Sequence, residues 1–229
     1  ADGNFVTHVH YPVEIPDKEQ VQEFLPPYEP LFRLHPDKPL SIAPQVDHDW
    51  GFEIRKQLDD AMENAREVIK KAHKDFNRIF GRGGDPFVEE YMTEDAEVAL
   101  VGIGATSMVA KATIRKLRKE GTKIGYVKIK RFRPFPGQEL INVLRKFKVV
   151  GVIDIDFSFG SPTSGAILYN DIRAALYDLS EKPILLNFII GLAGREITPE
   201  IIKHMSKIVV DTARKGKAEK YVYWIGVRE

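Results

Sequence analysis

Between about residue 96 and residue 227 the sequence alternates short apolar runs with amphipathic stretches, and this rhythm limits the fold more than any other feature. Val98–Ile103, Lys123–Lys130, Val149–Ile155, Pro183–Ile190 and Tyr221–Val227 read as strands. The stretches Met108–Glu120, Gly137–Phe147, Ala166–Leu179 and Pro199–Arg214 read as helices. Strands of this length, separated by helices, predict an α/β fold: an open, mostly parallel sheet with helices on both faces. Thr106 or Ser107 can cap the first of these helices, and Thr198, followed by Pro199 at the first helical position, caps the last.

The part before this alternation has a different character. Residues 1–50 hold eight of the fourteen prolines. Proline fixes φ and drives its predecessor toward extended backbone, so helix is confined to about Asp17–Phe24, with Asp17 as cap. Phe5, Val6, Val9, Tyr11, Val13, Ile15, Phe24, Tyr28, Leu31 and Phe32 are too apolar for a solvated linker. An extended arm lying across a surface is expected, possible surfaces including another subunit. Residues 51–80 then repeat apolar side chains at helical spacing, from Ile54 and Leu58 to Phe76 and Phe80, opposite Lys56, Asp59, Asp60 and Lys70. Gly81-Arg82-Gly83-Gly84 ends that helix. The expected organisation is an arm over 1–50, a long amphipathic helix with a glycine-rich end over 51–84, and the α/β domain over 85–229.

Composition removes whole classes of chemistry. The 229 residues contain no Cys, which excludes disulfides, thiol nucleophiles and iron–sulfur clusters held by this chain. Electrons involved in any redox reaction must leave through another polypeptide. Thirty-four Lys and Arg against 33 Asp and Glu give a net charge of +1, with no global field for nucleic acid or anionic lipid. No apolar run approaches the roughly 18 residues of a membrane-spanning helix. Residues 1–20 lack the apolar core of a secretory signal, so a cytoplasmic location is expected. High charge with few Met fits a thermophile. The opening Ala1-Asp2-Gly3-Asn4, without Met, fits a piece of a longer polypeptide.

Several residue patterns have both a chemical and a structural reading. Gly102-x-Gly104-x-x-Ser107 stands where a strand turns into a helix, the place of a phosphate-binding loop. Its third glycine is Ser, and Lys128 and Lys130 stand where an acidic residue would close the second strand; a tight turn explains it equally. Lys116, Arg118, Lys119, Lys123, Lys128, Lys130, Arg131 and Arg133 form a basic cluster, partly explained by the preference of helix C-termini for cations. His8 and His10 alternate on an extended segment, with His35 and His48 beyond; ordinary polar contacts are preferred to metal ligation. Asp154-x-Asp156 ends a buried strand, where α/β sheets place ligands; the pair could hold Mg²⁺, but capping the Ser158–Ser164 loop is the preferred reading. Arg131-Phe132-Arg133-Pro134-Phe135-Pro136-Gly137 is a rigid apolar loop suited to docking. Gly191-Leu192-Ala193-Gly194-Arg195-Glu196 is a flexible turn before the helix at Thr198.

The ordered set Val101-Gly102-Ile103-Gly104-Ala105-Thr106, Arg133-Pro134-Phe135-Pro136, Val152-Ile153-Asp154 with Ser158-Phe159-Gly160, and Gly191-Leu192-Ala193-Gly194-Arg195-Glu196 resembles the second domain of the alpha subunit of 2-oxoacid:ferredoxin oxidoreductases, the pyruvate:ferredoxin oxidoreductase type. Asp2-Gly3 with His8, Val13-Glu14-Ile15-Pro16, and Val21 through Phe24-Leu25-Pro26 resemble that family's link out of its first domain. The sequence departs from the family at Ile155, where a basic residue is frequent, at Ala193, where Gly is frequent, and at Glu196, where Asp is frequent.

The resemblance implies a domain of the transketolase C-terminal type. It implies an anaerobic, cytoplasmic hetero-oligomer in which thiamine diphosphate decarboxylates a 2-oxoacid such as pyruvate, coenzyme A accepts the acyl group, and iron–sulfur clusters pass electrons to ferredoxin. It also places the pyrimidine-binding domain before Ala1, and the Mg²⁺- and diphosphate-binding parts elsewhere, since no Gly-Asp-Gly signature is present. On this reading no catalytic, cofactor-binding or metal-binding residue is assigned to this chain, whose role is structural. Its partners are the thiamine-binding and cluster-bearing chains, and ferredoxin through the complex. The alternatives are an independent nucleotide-binding α/β enzyme and a non-catalytic interaction module.

Overall fold

A computed structural model describes residues 7, 8, 10, 12–43 and 45–228. Ala1, Asp2, Gly3, Asn4, Phe5, Val6, Val9 and Tyr11, named above, lie outside the described residues. The described chain divides into two compact units, one of residues 12–86 and one of residues 7, 8, 10 and 87–228.

In the first unit, α1 (Lys18–Phe24) and α2 (Gly51–Phe80) are the helices. Asp17 stands at the N-cap of α1, but its side chain accepts no capping hydrogen bond. Phe24 meets Phe76 and Phe80 edge-on, with ring centroids at 5.4 and 5.7 Å. Arg78 pairs with Glu23 at 2.8 Å, and Gln20 Nε2 donates to the Ile79 carbonyl. The C-cap of α2 is Gly81 in the left-handed region (φ 64°), its N–H returning to the Asn77 carbonyl, the conformation glycine adopts without a Cβ penalty.

The second unit is a six-stranded sheet in the order β1-β3-β2-β4-β5-β6. The strands are β1 (Val88–Tyr91), β2 (Val98–Ile103), β3 (Ile124–Ile129), β4 (Val149–Asp154), β5 (Ile184–Ile189) and β6 (Val222–Trp224). All neighbours run parallel except β1, which lies antiparallel on β3 with Val88 opposite Ile129 and Tyr91 opposite Tyr126. The helices are α3 (Thr106–Lys119), α4 (Gly137–Leu144), α5 (Ile167–Leu176) and α6 (Pro199–Lys215). The α3 and α6 helices pack together on one face of the sheet, and α4 and α5 on the other. The α/β architecture read from the alternation is therefore the observed one.

Covering both faces explains the continuous apolar runs: Val98 to Val101 and every residue of β4 are buried. Leu100, Ile114, Tyr126, Phe188, Met205 and Val209 share the core on the α3–α6 face. Each such aliphatic or aromatic side chain contributes about 1.5–3 kcal/mol by leaving water. Gly151 in β4 lies under this core; a Cβ there would come within 2.6 Å of Phe188 and 2.8 Å of Leu100 and Val209.

Three local expectations are corrected. Ala105, not Thr106 or Ser107, is the N-cap of α3, and both hydroxyl residues lie buried inside its first turn. The last strand is limited to Val222–Trp224, because Gly226 turns the chain at φ 87°. β1 is an additional strand. Thr198 does cap α6, accepting from the Ile201 N–H.

Candidate functional site

The carboxyl ends of β2 and β4 form the place where the chain changes direction across the sheet. From β2 the chain goes through α3 to β3 on one side; β4 lies on the other side of β2. Open α/β sheets bind ligands in the crevice at such a point. A cleft of about 260 Å³ opens there, with Ile103, Thr106 and Phe132 on one side and Asp154, Ile155, Asp156 and Ile167 on the other.

Three consecutive amides at the start of α5 are received by side chains from β5, from the end of β4 and from the loop just after it. The Ala166 N–H donates to Asn187 Oδ1 (2.9 Å), the Ile167 N–H to Asp156 Oδ1 (3.1 Å) and the Leu168 N–H to Asp154 Oδ1 (3.0 Å). Ala166, the residue at the N-cap, has no capping side chain of its own, so β5, the end of β4 and the loop after it supply the cap. Asn187 Nδ2 closes the arrangement by donating to Asp154 Oδ2 at 2.7 Å and to the Val152 carbonyl at 3.3 Å. Asp154 and Asn187 are both buried. Burial, and then the neighbouring Asp156, push the Asp154 carboxyl up to about 7, while the Leu168 amide and Asn187 pull the other way.

This geometry corrects the capping expectation. Asp154 and Asp156 cap α5, not the Ser158–Ser164 loop, which is tied by Ser161 Oγ donating to the Gly165 carbonyl and Thr163 Oγ1 accepting from the Gly165 N–H. It also argues against Mg²⁺ on this pair, since the positive end of a helix already faces both carboxylates. Asn187 was not singled out in the sequence. Its signal was a lone amide inside the apolar run Ile184–Ile189.

The glycine-loop reading has a specific structural answer. Tyr126 places its hydroxyl beneath Gly102, where a Cβ would approach it to 2.7 Å, and pairs with Ser107 Oγ at 3.0 Å. Gly102 and Ser107 thus accommodate a core tyrosine. Gly104 takes the left-handed turn into α3 at φ 71°. The independent nucleotide-binding alternative is not favoured.

The remaining candidates disperse. In the basic cluster, Arg118 pairs with Asp95, and Arg133 with Asp171 at 2.8 Å. The Arg131–Gly137 loop packs onto its own domain: Pro134 and Pro136 are buried, Phe132 and Phe135 half-buried. The Arg133 guanidinium lies over the Phe132 ring at 4.1 Å. His8 contacts Thr7, His35 lies 3.6 Å from Asp37, and His48 lies 3.4 Å from Asp49. Among the described residues, no group of three or more His, Asp or Glu is arranged to hold a metal ion. Among them, too, no helix is long and apolar enough to cross a membrane. In the Gly191–Gly194 turn, Ala193 sits at φ 57°, a left-handed position where glycine would be unstrained.

Fold and switch point together define a doubly wound α/β domain whose strand ends are closed by side chains from its own sheet. The sequence profile of pyruvate:ferredoxin oxidoreductase core domain II matches residues 96–202, and that of the pyruvate flavodoxin/ferredoxin oxidoreductase thiamine-diphosphate-binding domain matches residues 1–74. Over 229 residues the chain is 40% identical to pyruvate synthase subunit PorA of Pyrococcus abyssi, covering all of this chain and 57% of that protein. It is 34% identical over 220 residues to ketoisovalerate oxidoreductase subunit VorA of Pyrococcus horikoshii, covering 96% of this chain and 55% of that one. A solved 2-oxoglutarate:ferredoxin oxidoreductase from Magnetococcus marinus is 25% identical over 63% of this chain and 23% of its own, with a TM-score of 0.41, too loose a superposition to place any residue. The chain belongs to the 2-oxoacid:ferredoxin oxidoreductase family, with the alpha subunits as its relatives. It spans little more than half the length of the curated relatives it matches. The thiamine-domain profile over residues 1–74 takes in the arm and most of α2.

Proposed function

We propose that this chain is a C-terminal portion of the alpha subunit of a thiamine-diphosphate-dependent 2-oxoacid:ferredoxin oxidoreductase. The complete enzyme would decarboxylate a 2-oxoacid oxidatively, form an acyl-CoA, and deliver electrons to ferredoxin through iron–sulfur clusters. The observation carrying the reading is the 40% identity to PorA along the entire chain. Pyruvate is the preferred substrate, because the pyruvate synthase relatives are 36–40% identical to this chain and the ketoisovalerate relatives 33–36%.

The role assigned to these residues is assembly, in a domain of the transketolase C-terminal type within a cytoplasmic complex. Without Cys the chain cannot hold the clusters. At the strand ends, Asp154, Asp156 and Asn187 are occupied in holding α5, which supports a structural role over a catalytic one. Thiamine diphosphate, Mg²⁺ and the clusters would therefore be held by companion chains or regions.

The test is reconstitution. The thiamine-binding and cluster-bearing components are purified with and without this polypeptide, and coenzyme-A-dependent reduction of ferredoxin by pyruvate is followed. Activity should require the complete set. Turnover by the 229-residue chain alone, or full activity without it, would overturn the proposal.

A further inference from the structure

We propose that the cleft between the ends of β2 and β4 binds a small aliphatic α-amino acid, with its carboxylate at the start of α3 and its ammonium group on Asp156. The inference does not depend on the family reading.

The start of α3 supplies one half of the recognition. This fourteen-residue helix has no side-chain cap and no acidic residue in its first turn, so its own sequence does not neutralise its positive end. That turn also buries two hydroxyls. Ser107 Oγ is matched with the Tyr126 hydroxyl at 3.0 Å. Thr106 is only 5% exposed and lines the cleft, yet its hydroxyl has no hydrogen-bond partner among the described residues. A hydroxyl withdrawn from water without a partner costs free energy. An acceptor group arriving in the cleft removes that cost, and the helix end prefers this group to be negative.

The other half lies on the neighbouring strand. Asp154 has both oxygens engaged, one by the Leu168 N–H and the other by Asn187. Asp156 is exposed and uses Oδ1 on the Ile167 N–H; its second oxygen makes no hydrogen bond or ion pair among the described residues. A plain anion in the cleft would be repelled by this carboxylate, and a plain cation by the end of α3. A molecule with a carboxylate beside an ammonium group satisfies both. The ammonium asks one oxygen of Asp156, whereas a divalent ion would need several ligands. Because β2 and β4 are hydrogen-bonded neighbours, about 4.8 Å apart, one small molecule spans the two groups that follow them.

The walls set the body of the ligand. Ile103, Phe132, Ile153, Ile155 and Ile167 present apolar surface. The volume of about 260 Å³ is below the roughly 300–1,000 Å³ of pockets for drug-sized ligands, and suits a branched side chain of a few carbons.

The experiment is isothermal titration calorimetry of the full 229-residue chain with leucine and two of its fragments. One is 4-methylpentanoate, which lacks the ammonium group, and the other is 3-methylbutylamine, which lacks the carboxylate. Leucine should bind once per chain, and each fragment about tenfold more weakly or worse. Thr106→Val should weaken leucine about tenfold, and Thr106→Ser, which keeps the hydroxyl, should not. Asp156→Asn retains an oxygen for the Ile167 amide; it should weaken leucine about tenfold while leaving 4-methylpentanoate as tight or tighter. A merely structural defect would weaken both ligands alike. No binding of leucine at millimolar concentration would overturn the proposal. So would 4-methylpentanoate binding as tightly as leucine, or a leucine affinity indifferent to Thr106→Val or to Asp156→Asn.

Discussion

Asn187 on β5 donates its side-chain N–H to the buried carboxylate of Asp154 on β4 at 2.7 Å, while its own carbonyl oxygen receives the first amide of the α5 cap. The two residues act as one unit, and protonation of Asp154 is linked to folding.

Asp154 keeps its proton up to about pH 7 in the folded chain, against an ordinary value of 3.8. Between those limits the unfolded chain loses its proton first. Stability should therefore fall as pH rises through this window and level off above about 7, by a few kcal/mol at about 1.4 kcal/mol per pH unit. Urea denaturation, followed by Trp224 fluorescence in a Trp50→Phe background, measures it. Asp154→Asn should flatten this slope. It should also lower stability by about 1–3 kcal/mol, because its amide would face the Asn187 amide, donor against donor.

Gly102→Ala should destabilise by about 1–3 kcal/mol, since the added methyl meets the Tyr126 hydroxyl at 2.7 Å. Tyr126→Phe alone should cost about 1 kcal/mol through the lost contact with Ser107. The double variant should lose less than the sum. A double-mutant cycle from the same denaturation curves reads the coupling; strict additivity would contradict the close approach.

Ala193→Gly should stabilise. Ala193 occupies φ 57°, where a Cβ costs about 1–2 kcal/mol, partly offset by about 0.4–1 kcal/mol of extra freedom in the unfolded chain. A small rise in the thermal midpoint is the expected readout, and a fall would refute the strain argument.

Thr198→Ala should cost about 1 kcal/mol by exposing the Ile201 amide at the start of α6. Thr198→Asp should retain most of the stability, since its carboxylate can accept the same bond and meets the positive end of the helix.

What the sequence revealed follows from how locally each feature is determined. The interior strands were legible because both faces are buried, so Val98–Val101 and Val149–Asp154 are apolar almost without interruption. The bounds of α2 were legible because its stripe is regular and Gly81 stops it. β1 was not, because Val-Glu-Glu-Tyr has no signature apart from its neighbour: Glu89 is held by Lys111 and Glu90 by Lys146, at a distance in sequence. The α5 cap was misplaced for the same reason. Helix caps are sought within a few residues of the helix, and this one comes from positions 11, 14 and 21 residues away. The aromatic loop at Arg131–Gly137 suggested an open docking surface, but Pro134 and Pro136 turn inward and carry it onto the domain.

The sheet ends in β1, four residues long and running against its neighbour, and in β6, three residues long and halted by a glycine turn. Borders so brief give an incoming chain little backbone to hydrogen-bond with, and the paired glutamates on β1 make that border less welcoming still. Growth of the sheet by an added strand, the usual route to fibrils and to swapped dimers, is closed at both margins. Whatever joins this molecule must do so through side chains on its helices and loops.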